Sequence, residues 1–217
     1  MGYSLSIQHD LSSVIEHAFQ NQCSATSRPV RRVRLLSKGE TIYQCGDRIE
    51  AVYYLEAGSV KLTRCTPDGR LFTFRTVAAG ELFGETDLYL DAHECEACVE
   101  VDSHVVVYPR DEVMSWVAEN ADLAKALLHQ SHLLLLMLKR RLALLTIRSA
   151  RERTLEYLRE RICEDLKGDS RTITFQKPLK DVAEELDISP EGFYRILSRL
   201  EADGLIHRTK RQITLLL

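Results

Sequence analysis

The chain has 217 residues, of which 45% are hydrophobic, and it carries a formal net charge of −3. This length and composition allow two domains with separate cores, and the charge argues against bulk affinity for nucleic acid without excluding a local basic patch. The longest apolar run, Leu133 to Leu138, is far shorter than the roughly 20 residues of a membrane span. No secretory signal opens the chain, so we expect a cytoplasmic protein outside the membrane, with its six cysteines as thiols or ligands.

Short β-rich runs broken by glycines occupy residues 30–109. They predict an all-β domain, which follows an N-terminal extension over residues 1–29. The segments Thr41–Tyr43 and Ser59–Leu62 alternate between polar and apolar side chains, as half-buried strands do. Gly58 is expected in a turn, where a positive φ is favoured.

A long helix is predicted within residues 110–148. Apolar and small residues recur there at alternating spacings of four and three, which is typical of a coiled-coil seam. Such a helix either packs on its own β-domain or pairs with a second copy, and further leucines beside the seam make it broad enough for both. Ser149 and Glu152 match a capping box, so we expect a new helix and an interdomain hinge there. The predicted dimerisation residues are Leu128, Leu135, Leu138, Leu142 and Leu145.

The last segment, residues 149–217, contains two short helical patterns that meet at a tight turn. Asp187 takes the turn position, where a short polar side chain tolerates a positive φ. Ser189 is expected to cap the second helix, and Pro190 to occupy its first position. Strand-like runs precede and follow the two helices, and this order of elements is typical of a winged helix-turn-helix. The alternative interpretation is an ordinary helix pair with a solvated charged face.

The second of these helices leaves several polar side chains for solvent or a ligand. Arg195 can donate two hydrogen bonds to guanine, and Glu191 can accept one from cytosine, so the pattern predicts base readout in DNA. Basic residues nearby predict contacts with phosphates. The predicted DNA-binding residues are Lys180, Ser189, Glu191, Tyr194, Arg195, Arg199, Arg208, Lys210 and Arg211.

The glycine spacing of the β-domain matches a cyclic-nucleotide-binding β-roll at Gly39, Gly46, Asp47, Tyr54, Gly58 and Gly80–Glu85. With the helix-turn-helix, the chain resembles the CRP/FNR family of bacterial transcription regulators over roughly residues 30–217. The resemblance implies an α+β fold with an N-terminal β-roll, a long dimerisation helix and a C-terminal winged helix-turn-helix. It also implies a homodimer that senses a signal in the β-roll, binds a palindromic site in double-stranded DNA and contacts RNA polymerase.

The resemblance further implies an effector pocket. In family members that bind cyclic nucleotides, the positions of Gly84 and Glu85 hold the ribose, and an arginine with a serine or threonine holds the phosphate. This chain has Cys95 and Glu96 at the phosphate positions. Loss of one charge-assisted hydrogen bond costs about 1.5–3 kcal/mol, so cyclic AMP and cyclic GMP are not expected. We expect Glu85 to be a structural carboxylate that accepts from loop amides. The whole predicted pocket is Gly84, Glu85, Cys95 and Glu96, with Leu138 and Lys139 where the base would lie.

Cys95 and Cys98 form a CxxC pair. In a turn, two thiolates at this spacing can bind zinc or an iron–sulfur cluster or close a disulfide, whereas in an extended strand they point to opposite faces. Redox or metal sensing by this pair is one interpretation, and inert thiols are the other. The cofactor therefore stays open between haem, iron–sulfur, zinc and none.

These patterns favour a sequence-specific transcription regulator, gated by a signal other than a cyclic nucleotide. The alternative is a degenerate cyclic-nucleotide-binding-like module that signals through protein contacts. An enzyme is not expected, because the sequence offers no catalytic triad, paired carboxylates or phosphate loop.

Overall fold

A computed structural model of the chain describes residues 12, 14–22, 32–69, 71–165, 171–175, 178–209 and 212–216. The fold is α+β, as the sequence predicts, and it divides into two compact units, Leu5–His132 and Leu133–Leu217. Within the described residues, no helix is long and apolar enough to cross a membrane. The functional boundaries predicted near residues 29, 109 and 148 stay predictions.

An antiparallel sheet forms most of the first unit. Its described strands are β1 (Arg32–Leu36), β2 (Thr41–Tyr43), β3 (Ala51–Cys65), β4 (Leu71–Ala78), β5 (Glu81–Phe83) and β6 (Glu96–Pro109). The long strands β3 and β6 pair with each other, β1 and β2 pair with β6, and β4 and β5 pair with β3. β-Branched and aromatic residues are frequent in these strands because they suit a pleated, half-buried surface.

The helices of the first unit pack on this sheet. They are α1 (residues 14–22), a 3-10 helix (Glu85–Asp87), α2 (Arg110–Glu119) and the first part of α3 (Ala121–Thr146). Phe19 of α1 lies 4.9 Å from the Tyr108 ring and 5.5 Å from the Trp116 ring, between ring centroids. A second cluster lies among the strands and includes the stacked rings of Tyr53 and Phe83. Side chains of this unit therefore fill both faces of the sheet.

Gly58 lies inside β3, so the prediction of a turn at this residue is wrong. Its φ is positive, at 103°, but the pairing of β3 with β6 is irregular on both sides of it, which identifies a β-bulge. A Cβ at this residue would overlap Ser103 Oγ and approach the Asp102 carbonyl oxygen to 2.7 Å. The glycine is required both by its φ and by the closeness of β6.

The second unit is a winged helix-turn-helix. After α3 come α4 (Ala150–Asp165), β7 (Thr172–Thr174), α5 (Leu179–Glu185), α6 (Pro190–Ala202), β8 (Ile206–Arg208) and β9 (Gln212–Leu215). The three strands pair in the order β7-β9-β8. One hydrophobic core contains Leu158, Val182 and Phe193, and it also includes Leu144 near the end of α3. Arg141 Nε of α3 donates to the Glu185 carbonyl oxygen, 3.1 Å away, at the end of α5.

The local signals predicted for this unit are confirmed. Asp187 adopts a φ of 50° between α5 and α6. Ser189 Oγ accepts from the Gly192 N–H at 3.1 Å, and Pro190 is the first residue of α6. At the other junction, Ser149 Oγ accepts from the Glu152 N–H at 3.3 Å, and α4 begins at Ala150. The predicted hinge at Ser149 stays a prediction.

We expect Gly58→Ala to lower the free energy of unfolding of the first unit by about 2–4 kcal/mol, because a strained φ and an overpacked contact each cost about 1–3 kcal/mol. Urea unfolding followed by the fluorescence of Trp116, the single tryptophan of the chain, measures the change. Gly69→Ala is the control, because Gly69 has a φ of 81° but, in the part of the chain that the structure describes, nothing within 4 Å of its Cβ position. Equal losses in the two variants would contradict the steric role of Gly58.

Candidate nucleic-acid interface and sensor site

Helix α6 exposes the side chains that the sequence predicts to contact bases. Leu197 and Leu200 are buried in the core of the unit, so they fix which side of the helix faces solvent. Glu191, Tyr194 and Arg195 lie on the opposite, exposed side. Residues three and four apart are neighbours on a helix surface, so a carboxylate and a guanidinium are presented together. This face suits the donor and acceptor pattern of the DNA major groove.

The other predicted DNA-binding residues differ in their surroundings. Lys180 and Arg199 are exposed. The hydroxyl of Ser189 is engaged in the helix cap of α6. Lys210 and Arg211, which the sequence predicts at the tip of the wing, lie outside the described residues. The structure therefore shows exposed cations at Lys180 on α5 and Arg199 on α6, and their contacts with DNA stay predictions.

Arg208 has intramolecular partners on α6. Its backbone N–H donates to Glu201 Oε1 at 3.0 Å, and its Nε donates to Glu201 Oε2 at 2.9 Å. Its Nη2 donates to Ser198 Oγ at 2.9 Å. The backbone hydrogen bond, together with the guanidinium, holds the pKa of Glu201 below its usual value. Sequence reasoning did not foresee this pair, because no helical or strand period links a helix end to the following strand.

In the first unit, Glu85 belongs to a buried polar network. Its Oε1 lies 3.6 Å from Arg75 Nη1 on β4 and accepts from Gln130 Nε2 on α3 at 3.3 Å. Arg75 Nη2 also donates to Glu81 Oε2 at 3.1 Å and to the Leu82 carbonyl oxygen at 2.7 Å. Burial raises the pKa of Glu85, and the guanidinium of Arg75 opposes that rise. The carboxylate thus depends on partners from two other elements.

The prediction that loop amides satisfy Glu85 is only partly right. Its own backbone amide is one partner, and the side chains of Arg75 and Gln130 are the others. Its Oε2 is buried and has no hydrogen-bond partner among the described residues. Neither Arg75 nor Gln130 was identified from the sequence, because they are distant from Glu85 along the chain and only the fold brings the three together.

Cys95 lies immediately before β6, against the core among the strands. Burial, with a contribution from the nearby Asp87 carboxylate, raises the pKa of the thiol to about 11, and a hydrogen bond with Tyr43 opposes the rise. The Tyr43 ring stacks on His93 with 3.6 Å between centroids, and His93 Nδ1 lies 3.0 Å from Asp87 Oδ2. The position that would hold a phosphate is therefore occupied by a neutral thiol beside an aromatic ring and an acid.

The two thiols of the CxxC pair lie on opposite faces of the sheet. Cys98 is within β6, where Ala97 and Val99 are buried on the core side. Strand alternation places Cys95 on that side and Cys98 on the other. Both cysteines are free thiols. Among the described residues, no group of three or more His, Cys, Asp or Glu side chains is arranged to hold a metal ion. The structure therefore does not support the metal interpretation of this pair within its described part.

The other predicted pocket residues lie on several elements. Gly84 has a φ of 78° and precedes the 3-10 helix. Glu96 Oε1 accepts from Thr41 Oγ1 at 3.1 Å. Leu138 and Lys139 are exposed on α3 in the second unit. Of the six predicted residues, Gly84, Glu85, Cys95 and Glu96 belong to the first unit, and Leu138 and Lys139 belong to the second.

The predicted seam of α3 is largely exposed on the single chain. Leu128 is 73% exposed and Leu142 is 65% exposed. Leu135 and Leu138 are about half exposed, and Leu145 is half-buried. Exposed apolar side chains in one row on a helix indicate an interaction surface.

Comparisons with known proteins agree with this architecture. The cyclic nucleotide-binding domain family matches residues 33–120. The transcriptional regulator LdrP of Thermus thermophilus is 28% identical over 194 residues, which are 85% of this chain and 92% of LdrP. These matches confirm the resemblance to the CRP/FNR family that the sequence motifs indicate.

Solved structures show the same fold. FixK2 from Bradyrhizobium japonicum is 23% identical with a TM-score of 0.67, and the match covers 87% of this chain and 93% of that chain. CprK in complex with OCPA is 17% identical with a TM-score of 0.74, over 91% of this chain and 90% of that chain. At these identities the likeness establishes the fold alone.

We expect iodoacetamide at neutral pH to modify the exposed Cys65 well before Cys95. Relative to an ordinary thiol with a pKa of 9.0, a pKa of about 11 lowers the thiolate fraction about a hundredfold. Raising the pH towards the pKa of Cys95 should accelerate its modification. Peptide mass spectrometry over a time course measures both effects, with the exposed Cys45 as a second reference. Modification of Cys95 as fast as Cys65 would contradict a half-buried thiol with a raised pKa.

Proposed function

We propose that this chain, a homologue of CRP-family transcription regulators, is a homodimeric regulator that binds a palindromic DNA site and responds to a signal in its β-roll. The observation that carries the proposal is the exposed face of α6, which presents Glu191 and Arg195 side by side. This helix follows the turn at Asp187 and is capped by Ser189. Its relatives are named as regulators, so we propose no enzymatic role. A regulator of this kind acts in the cytoplasm, with RNA polymerase as a partner.

We propose base readout by the exposed face of α6. Arg195 donates to guanine O6 and N7, and Glu191 accepts from cytosine N4 on the opposite strand. Family members with this pair of residues bind half-sites with a TGA-like core, and we propose the same core here. Pro190 stands where some members have an additional arginine, so a TGTGA half-site is not preferred. Phosphate contacts come from the basic side chains around α6.

We propose that the exposed seam of α3 pairs with the same seam of a second copy. The leucines on this row would be covered in a parallel coiled coil. A dimer of this kind places its two recognition helices at half-sites about one helical turn apart, which accounts for a palindrome. In this proposal, residues 30–109 sense the signal, 110–148 lead into the dimer contact, and 149–217 bind DNA.

We propose that the signal is not a cyclic nucleotide. The cation of the network, Arg75, is already engaged by Glu81 and Glu85, and the thiol of Cys95 is neutral. An anionic phosphate near Cys95 would meet Asp87 without a free counter-ion among the groups described there, and unpaired charge in such a site is costly. The relative CprK is solved in complex with OCPA, so one fold accommodates a different effector class.

Arg195→Ala should weaken binding to a palindrome of TGA half-sites by about 1–3 kcal/mol and leave random duplex nearly unaffected, because a bidentate base contact is lost. Fluorescence anisotropy with labelled duplexes at low salt measures both affinities. Lys210→Ala is the comparison, since loss of a phosphate contact should weaken all sequences alike. Equal loss on both duplexes for Arg195→Ala would contradict base readout. No binding of the wild-type protein to any duplex would favour the protein-contact module.

Leu135→Glu together with Leu142→Glu should produce monomers that no longer bind the palindrome. The changes place two carboxylates per chain, and so four per dimer, in an apolar contact where buried charge is not tolerated. Sedimentation velocity measures the mass. His129→Glu with Ala143→Glu adds the same charge at exposed positions of α3 outside the seam and should stay dimeric. A wild-type protein that is already monomeric would contradict both the coiled-coil dimer and the palindromic DNA site.

A further inference from the structure

Arg208 links the wing, which contains β8 and β9, to the C-terminal end of the recognition helix α6. Glu201 lies in the last turn of α6, and both of its carboxylate oxygens accept from Arg208 on β8, one from the backbone N–H and one from Nε. His207 Nδ1 is a further neighbour, 3.7 Å from Glu201 Oε1. Two donors on two oxygens of one carboxylate fix direction as well as distance. The start of the wing is therefore held at one orientation relative to α6.

The same guanidinium reaches the exposed face of α6. Its Nη2 donates to Ser198 Oγ, and that hydroxyl donates to the Tyr194 carbonyl oxygen at 3.0 Å. Ser198 follows Glu191 and Arg195 on the exposed side of the helix, at helical spacing. Arg208 is thus connected, through the Ser198 hydroxyl, to the exposed side of α6 that carries Glu191 and Arg195, which we call the reading face of α6.

We infer that Arg208 and Glu201 are positioning residues for DNA recognition, which hold the wing and the reading face of α6 in one arrangement, and that Arg208 is not primarily a phosphate contact. The inference rests on the proposed DNA-binding function. The wing tip begins at Thr209, whose N–H donates to the Gln212 carbonyl oxygen at 2.9 Å.

A positioning role for Glu201 and simple electrostatics predict opposite changes in DNA affinity when its charge is removed. Glu201 is a carboxylate next to a surface that binds a polyanion, so removing its charge should strengthen DNA binding if charge alone matters. If Glu201 positions Arg208 and the wing, Glu201→Gln should weaken binding. Arg208→Lys separates the roles in the same way, because lysine keeps the charge but lacks the fork that engages both the carboxylate and Ser198.

The test compares affinities of the full-length variants for a TGA palindrome and for random duplex at one low salt concentration. Glu201→Gln and Arg208→Lys should each weaken palindrome binding about tenfold and lower the ratio of specific to random affinity, because the wing and the base-contacting face of α6 are no longer held in one arrangement. Asp203→Asn is the matched control. Asp203 is at the same end of α6 and pairs with Arg151 of α4 at 2.7 Å, away from the wing. It should leave the ratio unchanged.

Hydrogen exchange without DNA supplies a readout that does not depend on the proposed function. The amides of β8 and the wing should exchange faster in Glu201→Gln than in wild type or Asp203→Asn. Unchanged exchange, tighter DNA binding by Glu201→Gln, or wild-type behaviour of Arg208→Lys would each overturn the inference. If wild-type protein binds no duplex while wing exchange still responds to Glu201→Gln, the proposed function fails and the role in recognition fails with it, but the wing anchor stands.

Discussion

The Arg75 guanidinium is the central cation of a buried polar network in the first unit. It pairs with Glu81 and Glu85 and donates to the Leu82 carbonyl oxygen, so one buried cation connects β4, β5 and the 3-10 helix. Burying charges is favourable only when they are paired and hydrogen-bonded, and removing one partner of such a group typically costs about 3–5 kcal/mol. The network continues through Gln130, which also accepts from Ser12 Oγ at 3.1 Å. Helix α3 is thereby tied to the loop that contains Glu85.

This constraint bears on what the β-roll can sense. In relatives that bind cyclic nucleotides, the position of Glu85 serves the ligand, whereas here it is part of the internal network. The side chain at the predicted phosphate position, Cys95, also has intramolecular partners. It contacts Tyr43, which stacks on His93 of the Asp87–His93 pair. Both positions that the resemblance assigns to a cyclic nucleotide thus have intramolecular partners in the described structure. These partners support the proposal that the signal is not a cyclic nucleotide.

Local signals allowed much of the fold and of the nucleic-acid face to be predicted from the sequence. The turn at Asp187, the cap at Ser189 and the exposed pair on α6 each depend on a few neighbouring residues, so the chain itself specifies them. Gly58 shows the limit of such signals. A glycine indicates a positive φ, but it does not indicate whether the residue lies in a turn or, as here, in a β-bulge that faces Ser103. Arg75, Gln130 and the Arg208–Glu201 pair were missed because their partners meet only when the strands and helices have packed.

The central claim is that two copies of this chain together bind one palindromic duplex through their α6 helices. Native mass spectrometry of the full chain titrated with such a duplex tests it most directly, because it counts chains and DNA in the same complex. The account predicts that two chains bind one duplex at saturation, and that a duplex carrying a single half-site binds more weakly. A saturated complex of one chain per duplex, or folded protein that forms no complex with the palindrome, would contradict it.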